Sequence, residues 1–195
     1  MNGAANIRAA ALAAALAIGW TSWAAAFSLD ELAQGFARVA SSRATFEETK
    51  FVSTLNAPLT RRGTLAFQRP DRLEMRVERP YPETIEIDGD TLTMQTTRGR
   101  SQTSLSSQPL LAAWVESLRA TLAGDAASLS AHFTVTLSGS ARRWTLGLTP
   151  LDPTLRSIVR SIEITGDGAQ IAQYEIDELQ GDRTVVVVTP ATASR

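Results

Sequence analysis

The chain has 195 residues, 44% of them hydrophobic and 20% charged, with a formal net charge of −1. That is the length of a single domain with a sizeable core, and its balanced charge argues against a nucleic-acid-binding surface. Cysteine is absent, which excludes a disulfide framework and excludes lipid anchoring through a cysteine that follows an export signal.

The N-terminus reads as a cleaved secretory signal over residues 1–26. Arg8 supplies the basic start, Ala9 to Ile18 the apolar stretch, and Ala24-Ala25-Ala26 a small-residue cleavage site. The apolar stretch is too short for a membrane-spanning helix. Export to a bacterial periplasm follows, with residues 27–195 as one soluble domain. Loss of Arg8, the one charge in the segment, takes the net charge from −1 to −2.

Ser28 and Glu31 have the spacing of a capping box, and Leu29, Leu32, Phe36 and Val39 recur at helical spacing, so a helix is predicted over 29–40. Strands are predicted next at 44–55, 63–69, 72–79, 84–88 and 91–96. Leu65 and Phe67 alternate before Pro70, and Leu73, Met75 and Val77 continue the alternation after it. Thr64, Ala66, Gln68, Glu74, Arg76 and Glu78 take the opposite face. Asp88-Gly89-Asp90 is a hairpin turn, with Ile85 and Ile87 before it and Leu92 and Met94 after it. Lys50 is the only lysine, while Arg61, Arg62, Arg69, Arg72, Arg76 and Arg79 crowd this region; the interspersed Asp71, Glu74 and Glu78 make cross-strand pairing the expected use.

A second helix is predicted to open at Pro109 and close at Gly124, with Leu110, Leu111, Trp114, Val115, Leu118 and Leu122 as its apolar stripe. Asp125 caps a further short helix up to Ala131. Strands resume with Phe133, Val135 and Leu137, then Trp144, Leu146 and Leu148. Three more lie near 157–165, 169–178 and 183–188, joined by Gly166-Asp167-Gly168 and Gly181-Asp182.

About ten strands joined by short turns make an antiparallel meander wide enough to curl. With two substantial helices to cover its apolar face, the expected fold is mainly β. It is an unclosed antiparallel half-barrel with the helices packed in the concave side as a lid. Most apolar faces cover an ordinary filled core, and periodicity alone does not separate a hollow interior from a filled one.

Catalytic chemistry is not legible. His132 is the single histidine, no G-x-S-x-G elbow is present, and Asp88, Asp90 and Asp167 sit in turns. A non-enzymatic protein without cofactor or metal is the expectation.

Gly63-Thr64-Leu65-Ala66-Phe67-Gln68-Arg69-Pro70, the apolar Leu73 and Met75, the prolines Pro80 and Pro82, the Asp88-Gly89 turn and the Gly181-Asp182 strand pair together resemble the periplasmic outer-membrane lipoprotein carrier family (LolA-like). The resemblance covers nearly all of the mature chain. It implies a hydrophobic cavity under a helical lid, and a monomer that shuttles acyl chains of a lipoprotein or another lipid from an inner-membrane exporter to an outer-membrane acceptor. A lipid sensor or exporter accessory is the alternative reading. It also implies that Arg69 latches the lid through main-chain carbonyls. That role suits a guanidinium sharing the parity of Leu65 and Phe67, since a charge on an apolar face needs partners. The cavity would be lined by Leu65, Phe67, Leu73, Met75, Val77, Ile85, Ile87, Leu92, Met94, Leu111, Trp114, Leu118 and Trp144. This chain carries Met75 where many relatives have tryptophan, and its tail after Val188 lacks apolar anchors.

Overall fold

A computed structural model describes residues 27–191, so the signal segment expected at residues 1–26 lies outside the described residues. Helix α1 (Leu29–Ala37) leads into β1 (Ser41–Phe51), β2 (Leu59–Gln68), β3 (Arg72–Arg79), β4 (Glu83–Asp88), β5 (Thr91–Thr96) and β6 (Gly99–Ser104). A short turn of helix at Leu105–Ser107 precedes α2 (Pro109–Ala123) and α3 (Ala126–His132). Then come β7 (Phe133–Ser140), β8 (Arg143–Pro150), α4 (Pro153–Arg156), β9 (Val159–Asp167), β10 (Gln170–Glu178) and β11 (Arg183–Pro190).

All eleven strands form one antiparallel sheet in the order β6-β5-β4-β3-β2-β1-β11-β10-β9-β8-β7. Two meanders, β1 to β6 and β7 to β11, are stitched together at the centre by β1 and β11, with Glu48 opposite Val186. The edges β6 and β7 do not pair, so the barrel is open. From β5 to β8 the sheet would span roughly 40 Å if flat, at about 4.8 Å per strand. Yet Leu92 of β5 and Leu146 of β8 share one apolar cluster with Val115 of α2, a helix only ~22 Å long. The sheet therefore wraps around its helices, and the expected half-barrel is the observed architecture.

Local chemistry sets the helix ends. Ser28 Oγ accepts from the Glu31 N–H at 3.2 Å, and the Ser28 N–H donates back to the Glu31 carboxylate at 3.0 Å. Pro109 opens α2 and Gly124 closes it at φ 67°. Gly124 has a second reason to lack a side chain: a Cβ there would lie 2.1 Å from the Ala33 carbonyl oxygen of α1. That close approach brings the C-terminal ends of α1 and α2 together.

Beneath α1, Phe36 and Trp144 are fully buried in an edge-to-face pair with centroids 5.8 Å apart. Trp144 lies directly opposite Gly166 in the register, where a Cβ would come within 2.3 Å of the indole. Its Nε1–H donates to the Gly168 carbonyl at 2.9 Å. Among the described residues no helix is long and apolar enough to cross a membrane.

Candidate functional site: a cavity walled by the second helix

The strand alternation puts Leu65 and Phe67 of β2, Leu73 and Met75 of β3, and Ile85 and Ile87 of β4 on the covered face. With Trp114 and Leu118 of α2 they line a cavity of about 660 Å³. Eight of the thirteen cavity residues expected from sequence are thus brought together. The other five sit elsewhere. Val77, Leu92 and Trp144 are buried in close packing, Trp144 because Gly166 gives its indole a slot. Leu111 is half-buried against the core, and Met94 is half-buried on β5 without lining the cavity.

The far wall comes from strands whose role the sequence did not reveal: Ala44 of β1, Ile171 and Tyr174 of β10, and Val186 and Val188 of β11. Leu122 of α2 and Val39 add to the apolar lining, with Ala66, Ala169, Pro190 and Ala191. Ser41, Ser42, Arg43, Asp167 and Gln170 give it one polar end, where β1 begins and β9 turns into β10, and Glu74 of β3 also lines it.

One polar pair sits within the apolar wall. Ser117, fully buried on α2, meets the Tyr174 hydroxyl on β10, and Ser117 Oγ also lies 2.9 Å from the Trp114 carbonyl. A carbonyl only accepts, so the serine proton goes to Trp114 and the phenol donates to the serine. Both hydroxyl protons are thereby used, and no buried side-chain polar atom among the described residues lacks a partner. Burial drives the Tyr174 pKa far above its ordinary value, with the Ser117 bond opposing.

Arg69 stands at the end of β2, where the β2–β3 turn passes the ends of both helices. Its Nε–H donates to the Val39 carbonyl at 2.8 Å, and its Nη2 donates to Phe36 at 3.0 Å and to Ala123 at 3.1 Å, with Leu122 at 3.5 Å. Every acceptor is a main-chain carbonyl at or just beyond the C-terminal end of α1 or α2. Phe36, Leu122 and Ala123 lie in the last turns of their helices, where carbonyls lack an i+4 partner within the helix and carry the negative end of its dipole, and the Phe36 carbonyl also accepts from the Val39 N–H at 2.9 Å. The Arg69 N–H itself donates to the Ala40 carbonyl at 3.0 Å, which pins the turn in place.

The neighbouring arginines have other uses. Arg61 forms a two-pronged pair with Glu48 at 2.9 and 2.7 Å, directly across the β1–β2 register, and Arg76 meets Glu74 at 3.1 Å. Glu48 is itself buried, so this pair is less exposed than the expected wet-face pairing. His132 ends α3 and lies beside a separate depression with Glu116 and Asp152. Among the described residues no group of three or more histidine or acidic side chains is placed to hold a metal ion.

No curated protein sequence matches the chain. Among solved structures it is similar to a putative outer membrane lipoprotein-sorting protein domain from Vibrio parahaemolyticus. That match has 11% identity and a TM-score of 0.47, over 87% of this chain and 94% of the other. It is also similar to a LolA superfamily protein from Nitrosomonas europaea, at 10% identity and TM-score 0.43, over 85% and 92% of the two chains. The lipoprotein LppX of Mycobacterium tuberculosis matches at 14% identity and TM-score 0.43, over 85% and 93%. The profile of the family described as outer membrane lipoprotein carrier protein LolA-like matches residues 21–194. Because that match spans nearly the whole sequence, the chain belongs to the LolA-like outer membrane lipoprotein carrier family.

Proposed function

We propose that this protein is a periplasmic carrier that takes the hydrocarbon chains of a lipoprotein or another lipid into its cavity. It then moves them from the inner to the outer membrane. The observation that carries the reading is an apolar-lined cavity of about 660 Å³ whose roof, α2, packs on the core through Val115, Leu118 and Ala120 and is also tied down by hydrogen bonds at its C-terminal end. At about 30 Å³ per methylene-sized group, near the share of a water molecule in the liquid, that space suits roughly twenty such groups. One chain of about sixteen carbons gains more than 10 kcal/mol by leaving water, at ~0.8 kcal/mol per methylene. An unaided lipid pays that cost to cross an aqueous compartment, and a cavity removes most of it.

The interior chemistry supports hydrocarbon as the guest. The Ser117–Tyr174 pair has spent its protons internally, so it offers a bound chain no waiting donor. A headgroup is left to the polar end near Ser41, Ser42 and Gln170. In this reading Arg69 is the latch of the closed state: binding needs α2 to lift, and the cargo favours whichever arrangement gives it more apolar contact. The signal segment at residues 1–26 supports export, and no chemical reaction is part of the reading.

Mass spectrometry of lipids extracted from the native periplasmic protein tests the cargo, and transfer of a fluorescent acyl lipid between two vesicle populations tests the shuttle. A carrier shows bound lipid and protein-dependent transfer. Bound lipid without transfer makes it a sensor, and absence of bound lipid defeats the proposal.

A further inference from the structure

Arg119 projects from α2 in the direction opposite to Arg69. Its Nε–H donates to the Asp71 carbonyl at 2.9 Å and its Nη2 to the Gly89 carbonyl at 2.8 Å. These acceptors lie in the β2–β3 and β4–β5 turns, on the rim of the first meander. Arg119 thus reaches from helix to sheet at the turn from which Arg69 reaches from sheet to helix. Neither arginine has a carboxylate within salt-bridge distance among the described residues, so main-chain carbonyls take both charges.

The division of bonds between the two is unequal. Arg69 gives its two shortest bonds, 2.8 and 3.0 Å, to Val39 and Phe36 at the end of α1. On α2 it keeps one bond of 3.1 Å and one long contact of 3.5 Å. Arg119 puts both of its short bonds into holding α2 itself. It follows the cavity residue Leu118 directly and precedes Leu122 by three, so it sits on the wall that must move. From the other flank α2 is tied to the second meander through Ser117 and Tyr174.

We infer that Arg119 is the main clasp of the cavity roof, fastening α2 to the sheet rim, and that Arg69 chiefly holds the end of α1. This is a positioning role, and it rests on the reading of the cavity as a lipid site. Release of α2 requires the Arg119 fork to leave two carbonyls at once, a geometry that a lysine ammonium, with its single charged centre, does not reproduce.

The test compares wild type, Arg119→Leu, Arg119→Lys and Arg69→Leu by hydrogen exchange and by the rate of uptake of a fluorescent fatty-acid probe. In Arg119→Leu, exchange in residues 109–123 and probe uptake rise about tenfold while residues 29–37 stay as in wild type, and Arg119→Lys falls between. In Arg69→Leu the larger rise is in residues 29–37. An α2 exchange rate equal to wild type in Arg119→Leu overturns the inference. So does a uniform rise over every strand in both Arg119 variants, which marks general destabilisation. If Arg119→Leu does not fold, Arg119→Lys is judged by the same two segments. Should the exchange pattern appear while no variant takes up probe, the clasp stands and the carrier reading fails.

Discussion

Replacement of Arg69 by leucine removes three carbonyl bonds of 3.1 Å or less and one contact of 3.5 Å, while leaving a side chain of similar stem volume. A hydrogen bond to a charged group is worth about 1.5–3 kcal/mol net when buried. Arg69 is only part-buried, and water reaches the carbonyls of a released helix end, so about 1 kcal/mol per bond is the better figure. Three bonds then total ~3 kcal/mol, shared between the lid equilibrium and general stability. Only one of the three short bonds, that to Ala123, falls on α2, so about 1 kcal/mol acts on the lid and the open population rises about fivefold. From a minor state of about 1%, that makes opening directly visible. The reporter is built in: Trp114 packs edge-to-face on Tyr174 with centroids 6.1 Å apart, whereas Trp144 is sealed in the core. In Arg69→Leu protein without its N-terminal 26 residues, tryptophan emission shifts to the red and binding of an apolar dye increases, with strand content unchanged. An emission maximum and dye affinity indistinguishable from wild type, in a folded variant, refute the latch.

The cavity wall gives a second handle. Ala44 faces Leu65 across β1 and β2, and Ala44→Trp adds an indole that displaces roughly four methylenes of a bound chain, ~3 kcal/mol, so probe affinity falls about a hundredfold while the melting temperature changes little. An unchanged affinity would place the bound chain elsewhere. The Ser117–Tyr174 pair is asymmetric in cost. Tyr174→Phe leaves Ser117 bonded to the Trp114 carbonyl and loses about 1 kcal/mol. Ser117→Ala strands a buried phenol proton and loses up to ~3 kcal/mol, and urea midpoints in the reverse order contradict the assigned proton direction. Asp182 accepts from the Ser53 N–H at 2.9 Å and the Ser53 hydroxyl at 3.0 Å, which hold its carboxyl below the ordinary 3.8. A folded pKa below the unfolded one adds stability above about pH 4 and loses it as the carboxyl protonates in acid. The stability gap between wild type and Asp182→Ala therefore narrows as pH falls below about 4, and a gap that does not narrow in acid refutes the linkage.

How far the sequence revealed this site depends on where its faces were chemically distinct. In the second half of β2 and in β3 and β4 the larger apolar residues recur at every second position between mostly polar neighbours, so Leu65, Phe67, Leu73, Met75, Ile85 and Ile87 could be assigned to the cavity by parity. Arg69 shared that parity and was readable as inward-facing. In β11, Val185 to Val188 are four valines in a row, and parity says nothing about which two face inward; the pairing of Phe46 with Val188 and Glu48 with Val186 decides it. Strand β6 was missed because Gly99–Ser104 has no apolar face at all and is held by its backbone pairing with β5. Trp144 was assigned to the cavity because it alternates with Leu146 and Leu148, but a glycine twenty-two residues later, Gly166, decides its fate.

Arg119 shows the same limit from the other side. On a helix read from sequence it is one polar residue between Leu118 and Leu122, the natural position for a solvated arginine. Its partners are backbone oxygens of Asp71 and Gly89, and main-chain acceptors leave no trace in residue type. Apolar walls are therefore legible because burial selects side chains, whereas clasps to carbonyls are not, because any residue supplies the acceptor. For this half-barrel the greasy chamber is written in the alternation of its strands. The fastening of its roof is written only in the geometry of two turns.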